Sequence, residues 1–353
     1  MLEAGWPGEG VAFGLPFQSY LDAGGLSFSL AKSAITPLDV WTRLPANPHR
    51  EVEEPSFHKE LGAAYHARIC EGREAFAERF VADLDPADYP DALRTNDELK
   101  AELVRLGVKP PTTKAAMIEA LEAAGYQGQI WQRLREEFDR KNAGKVFLEA
   151  KQIERIEWAA AMIERHPHLA PVFRGGFSEV SIFWREPESG CPMKARLDKL
   201  HMKAIVDLKS FSNPYGKTFE REVAYAIAAR KYYLQAAIYI DAVRAARRMW
   251  REKSGFYIAG EGAAHPNPDW LDQWAAIEDD PAFIFVFQQT GVAPVARGYR
   301  MPRGNVLSIG AIEYAEIARR VMEWSRAYGD DPWVDDAPIV ELQDLDFPAF
   351  LGR

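Results

Sequence analysis

Cysteine is nearly absent from this 353-residue chain: Cys70 and Cys191 are the two present, far apart in sequence. Two thiols cannot form a four-thiolate iron–sulfur or zinc site, and they provide no disulfide framework. Long apolar runs are missing too, with no stretch approaching the roughly 18 residues that span a bilayer. No membrane association is therefore expected. The opening MLEAGWPGEG lacks a basic segment followed by an apolar one, so no secretion signal is expected and the expected compartment is the cytoplasm. There is no Gly-rich phosphate loop, no Walker lysine and no Gly-x-Ser-x-Gly elbow, which leaves small-molecule enzymes little support. Positive charge is in deficit, 43 basic against 52 acidic residues for a net charge of −9. That balance argues mildly against nucleic acid as a partner, but phosphate binding needs only one basic face, so local distribution decides.

The composition is otherwise ordinary, 47% hydrophobic and 27% charged, with material for one large domain or two small ones. Residues 1–60 are rich in Gly, Pro and short apolar pieces, with a short helix expected near Ser29–Trp41. Leu61 to about Val81 reads as one helix carrying His66. Residues 96–125 form a self-contained unit, two amphipathic stretches flanking GVKPPTTK, where Gly107, Pro110 and Pro111 break the helix and Thr112 or Thr113 caps the next. It is similar to small helix–extended–helix modules of SAP type, several of which bind nucleic acid; a helical hairpin packed on the main body is the alternative. After Gly175-Gly176 the period changes to that of strands: FSEVSIFW, KARLDKL and AIVDLKSF, with HMK as a hairpin turn between the last two. A long helix from Phe219 to Lys253, a strand AFIFVFQQ, a segment VARGYRMP and a closing helix follow. This order implies an α/β fold with a mixed central sheet flanked by helices. The expected domains are 1–92 as the first part of the core, 93–128 as an inserted helical module, and 129–353 as the remainder.

An acidic residue two before a lysine means little by itself. Composition predicts about two occurrences, and there are four: Glu98/Lys100, Asp139/Lys141, Glu149/Lys151 and Asp207/Lys209. The first three fall in helical stretches, where residues two apart diverge. Asp207/Lys209 lies on an apolar strand, where i and i+2 project from one face. Two charges there are costly to bury without a partner or a function. The preceding strand brings Asp198, and two neighbouring carboxylates repel unless a positive charge lies between them. An oxygen-liganded divalent cation, Mg²⁺ or Mn²⁺, meets that need. Lys209 would then orient or deprotonate a metal-bound water for attack on a phosphodiester. A structural Asp–Lys pair at a strand end is the alternative. Lys231, Gln235 and Tyr239, spaced i, i+4, i+8, share a helix face and suit phosphate contacts. Glu179 is a further metal ligand or a surface acid.

The segment from FSEVSIFW through KARLDKL, VDLKSF and QAAIY resembles the RecE-type exonucleases (exodeoxyribonuclease VIII family) of the PD-(D/E)XK superfamily, found in phages and prophages. LGAAYHARI resembles that family's histidine helix, and GLSFSLAKSAITPLDVW its N-terminal segment. The resemblance covers about residues 25–250. It implies a 5′→3′ exonuclease on linear double-stranded DNA in a bacterial host cell, leaving 3′ single strands for an annealing protein, and a ring-shaped homo-oligomer. It implies His66, Glu179, Asp198 and Asp207 as metal ligands, Lys209 as the catalytic lysine, and Gln235 and Tyr239 as supports. The inserted module and the DDPWVDD near the C-terminus depart from the family pattern. A repair endonuclease of the same fold and a catalytically silent DNA-binding protein are the competing readings; the intact Asp198/Asp207/Lys209 set speaks against the second.

Local charge bears on the partner. Residues 230–253 carry seven basic against two acidic side chains, and residues 194–209 five against two. Lys194, Arg196 and Lys231 are the candidate DNA contacts on this basis, with a solvated helix face as the alternative for Arg244–Lys253.

Overall fold

The computed structural model describes residues 1–50, 56–211, 218–260, 263–291, 293–335, 337–341 and 343. The DDPWVDD segment falls partly outside these, at Asp336. The chain divides into two compact units. One comprises Met1–Glu54, Pro171–Phe287 and Arg297–Arg353; the other comprises Pro55–Ala170 and Gln288–Ala296. This differs from the expected division. The second unit is far larger than the 93–128 module, which is only part of it.

The first unit is built on a seven-stranded sheet. Its strands are β1 (Gly10–Phe13), β2 (Phe177–Arg185), β3 (Pro192–Leu200), β4 (Ala204–Phe211), β5 (Phe256–Ala259), β6 (Ala282–Gln289) and β7 (Ala296–Arg300), in the order β5-β1-β2-β3-β4-β6-β7. β1 runs parallel to β5 and antiparallel to β2, and the β2–β3 and β3–β4 pairs are antiparallel. The sheet is therefore mixed, as the alternation predicts. The turn between β3 and β4 closes with His201 N donating to Ala204 O at 2.8 Å. Two strands, β1 and β5, are invisible in the sequence pattern because each is only four residues long.

Helices α1 (Phe219–Ala229), α2 (Tyr232–Glu252) and α3 (Asn305–Tyr328) belong to this unit. The expected single helix from 219 to 253 is broken at Arg230–Lys231, where Lys231 takes the left-handed backbone (φ 54°). α2 is buried along most of its length, through Leu234, Ile238, Ala242 and Ala246 among others. Gly310 lets α3 approach α2 closely, since a Cβ there would meet Tyr233 O at 2.6 Å. The expected helix near Ser29–Trp41 is two short ones, Phe28–Ala31 and Pro37–Trp41, and the second starts at a Thr36/Asp39 capping box.

In the second unit the expected helix over 61–81 is also interrupted. Phe57–His66 continues into a π-helical turn, Ala67–Glu71; Gly72, at φ 107°, stops it, and a new helix covers Arg73–Arg79. Arg68 is buried in this turn between Glu157 and Glu164, at 2.9 and 3.1 Å. The module's two helices, Asn96–Arg105 and Lys114–Ala123, match expectation, with Thr95/Glu98 and Thr113 as caps. Leu99, Leu103, Met117, Ile118, Leu121 and Ile130 form its own small core.

Within the first unit one half-buried carboxylate joins three elements. Asp241 of α2 accepts from Trp184 Nε1 of β2 and from Tyr314 OH of α3, both at 2.9 Å. Asp241→Ala leaves two buried donors unsatisfied and is expected to cost about 2–5 kcal/mol, whereas Asp241→Asn keeps an acceptor and costs far less. Urea unfolding of both variants measures this; equal stabilities would remove Asp241 from the fold's support.

Candidate active site

The hairpin of β3 and β4 sets the geometry. Lys199 pairs with Val206 and Leu200 with Ile205, so one step further the same register puts Asp198 opposite Asp207. In the neighbouring ladder Ser178 pairs with Lys199 and Val180 with Leu197, which puts Glu179 opposite Asp198. Directly opposed residues share a face. By that register Glu179, Asp198 and Asp207 fall in a row of positions across three strands.

Each has a defined companion. Asp207, 2% exposed, pairs through Oδ1 with Lys209 Nζ at 2.7 Å and accepts at Oδ2 from Gln235 Nε2 at 2.5 Å. Asp198 Oδ2 accepts from Leu208 N at 2.8 Å. Glu179 is ion-paired with Arg196, and its backbone is left-handed (φ 56°) in the middle of β2. A non-glycine residue in that region is strained, and such strain collects at functional sites.

Lys209 partly neutralises the row. Burial disfavours its ammonium, but Asp207 and then Asp198 outweigh that and hold its pKa above the ordinary lysine value. Its Nζ lies 4.7 Å from the centre of the Tyr232 ring. Tyr239 is buried, and burial first, then the nearby Tyr20, Asp207 and Asp198, push its phenol well up. Gln235 therefore reaches the row from α2, and Tyr239 lies one turn further along the same helix. Sequence reasoning missed Tyr232 and Tyr20. Tyr232, three residues before Gln235, was findable from helical spacing; Tyr20, distant in sequence, was not.

The donor set suits a divalent cation: acidic oxygens on adjoining strands, partly neutralised by Lys209 and Arg196, favour a hard, oxygen-liganded ion. His66 belongs to the second unit. There its Nδ1 lies 3.6 Å from Glu71 Oε1, and Glu71 in turn pairs with Arg79 at 2.6 Å.

The residues expected to contact DNA are each engaged within the protein. Lys194 is 5% exposed, and its ammonium donates to the carbonyls of Tyr20, Leu21 and Ala23. Arg196 is occupied by Glu179, Leu15 O (2.7 Å) and Ser181 Oγ (3.2 Å). Lys231 pairs with Glu313 of α3 at 2.6 Å. The basic stretch of α2 also serves the protein itself. Arg247 donates to Asp279 O and Met202 O, Arg251 to Ala275 O, and Arg244 grips Asp280 with two bonds of 2.6 Å. Residues 96–125 carry four basic against five acidic side chains, with Arg105 turned to Glu102 and Lys114 to Arg94 O.

A family model described as a PDDEXK-like domain of unknown function (DUF3799) matches residues 59–260. No curated protein sequence matches the chain. Among solved structures, a protein from Eubacterium rectale provisionally named an exonuclease aligns at 16% identity with a TM-score of 0.32, over 64% of this chain and 73% of that one.

Lys194 carries a pH signature. Burial first, then the charge of Arg50, lower its pKa from 10.5 to about 8. Between these values the unfolded chain keeps a proton that the folded chain has released, so this residue makes stability rise with pH from about 8 towards 10.5. Lys194→Met is expected to flatten that rise in denaturant titrations across the range. An unaltered slope would return Lys194 to the surface.

Proposed function

Because the chain belongs to the PDDEXK-like family, whose model covers more than half of it, we propose that it is a metal-dependent DNA nuclease with Asp198, Asp207 and Lys209 at its centre. The observation that carries this reading is Asp207, a buried carboxylate fixed by Lys209 and Gln235 and set beside Asp198. Nothing in a merely structural ion pair calls for a second and third carboxylate in register with it.

Glu179, Asp198 and Asp207 would hold Mg²⁺ or Mn²⁺, with His66 as the further ligand that the RecE resemblance implies. When bound, such an ion supplies Lewis-acid stabilisation of phosphate charge and a more acidic water. The chain's own residues do the rest. Gln235 fixes the Asp207 carboxylate through one oxygen. Lys209, held by Asp207 and lying over the Tyr232 ring, directs an ammonium towards the reacting phosphate and its attacking water. Tyr239 closes the site from the α2 side and keeps bulk water from the carboxylates. Arg196 holds Glu179 in its left-handed conformation.

The resemblance extends the proposal to a 5′→3′ exonuclease on linear duplex DNA that feeds 3′ strands to an annealing protein and works as a ring of subunits. A repair endonuclease of the same fold is the other outcome of the test. Linear duplex labelled at one 5′ or one 3′ end, beside a closed circle, is digested with Mg²⁺. Early release of the 5′ label with an intact circle is expected; an opened circle supports the endonuclease, and no cleavage of any DNA sinks the nuclease reading. Asp207→Asn and Lys209→Met are each expected to lower the rate by about 10²–10⁴, and Lys209→Met, which leaves the Asp207 carboxylate uncompensated, also lowers the unfolding midpoint. Undiminished cutting in excess EDTA would exclude the metal.

A further inference from the structure

Phe17 opens a short helix, Phe17–Asp22, and its ring is 58% exposed. Isolated exposed aromatics are common on protein surfaces, but this one has an unusual pedestal. The Arg196 guanidinium lies 5.6 Å from the Phe17 ring centre and 5.9 Å from that of Tyr20, three residues on and buried. The same guanidinium donates to Leu15 O, two residues before Phe17, and pairs with Glu179 of the carboxylate row. One cation therefore fixes the ring, the backbone that carries it, and the acid beside it. Pro16, at the helix N-cap with φ −53°, stiffens the connection further.

We propose that Phe17 is a stacking platform for an unpaired nucleobase of the strand whose phosphate enters the carboxylate row. The proposal rests on the nuclease reading and adds a substrate contact to it. A flat apolar face held rigidly next to a phosphate site takes a base without regard to its identity, because every base offers a π-face. Exposure of the ring is then functional: covering it with protein would close the position to a base. The arrangement also accounts for Arg196, whose charge, spent on Glu179 and Leu15, aligns the platform with the acids and does not itself contact DNA.

The test uses the full chain in Ca²⁺ and an oligonucleotide carrying 2-aminopurine near its end. Stacking quenches this base's fluorescence. The parent is expected to bind and quench; Phe17→Tyr retains both. Phe17→Ala loses the quenching and binds the single-stranded oligonucleotide on the order of tenfold more weakly. An oligonucleotide with an abasic residue at the quenched position erases the difference between Phe17→Ala and the parent. Equal affinity and equal quenching in Phe17→Ala and the parent would overturn the platform while leaving the nuclease intact. A parent that binds no DNA overturns both.

Discussion

The site depends on the compensation of one buried charge. Asp207 is almost wholly removed from water, and an isolated carboxylate there would be prohibitively costly. Lys209 and Gln235 each take one of its oxygens. Removing either partner leaves charge uncompensated, which is why these three side chains, drawn from β4 and α2, are constrained together. Asp198 and Glu179 are added by the register of the sheet, at no further cost in chain topology. Their mutual repulsion is offset by Lys209 on one side and Arg196 on the other.

Much of this was legible beforehand. The alternation in FSEVSIFW, KARLDKL and AIVDLKSF identifies three neighbouring strands, because a period of two has no other regular explanation. It also puts Asp207 and Lys209 on one face. The helical spacing of Gln235 and Tyr239 points correctly to a shared face. What periodicity cannot register is a short strand such as Gly10–Phe13, or a break such as the one at Lys231. That break shows no Gly or Pro: the left-handed residue is a lysine, stabilised by Glu313 some eighty positions later. The π-turn after His66 is similarly silent, because Arg68 is held by glutamates on a different helix.

Charge is where a linear sequence is least informative. A count of basic residues along α2 and around β3 implies an electropositive face. Structure shows that a cation's sign says little about its destination. Lys194, Arg247 and Arg251 satisfy backbone carbonyls at places where the chain turns or a helix ends. Such groups need donors as much as phosphates do, and nothing in a linear count separates the two uses.

The internal commitment of these arginines and lysines has an electrostatic corollary. A protein that lays few free cations along a duplex displaces few condensed counterions, and its grip then changes little with ionic strength. In a chain of net charge −9, cations already committed to carboxylates and carbonyls add little long-range attraction for a polyanion.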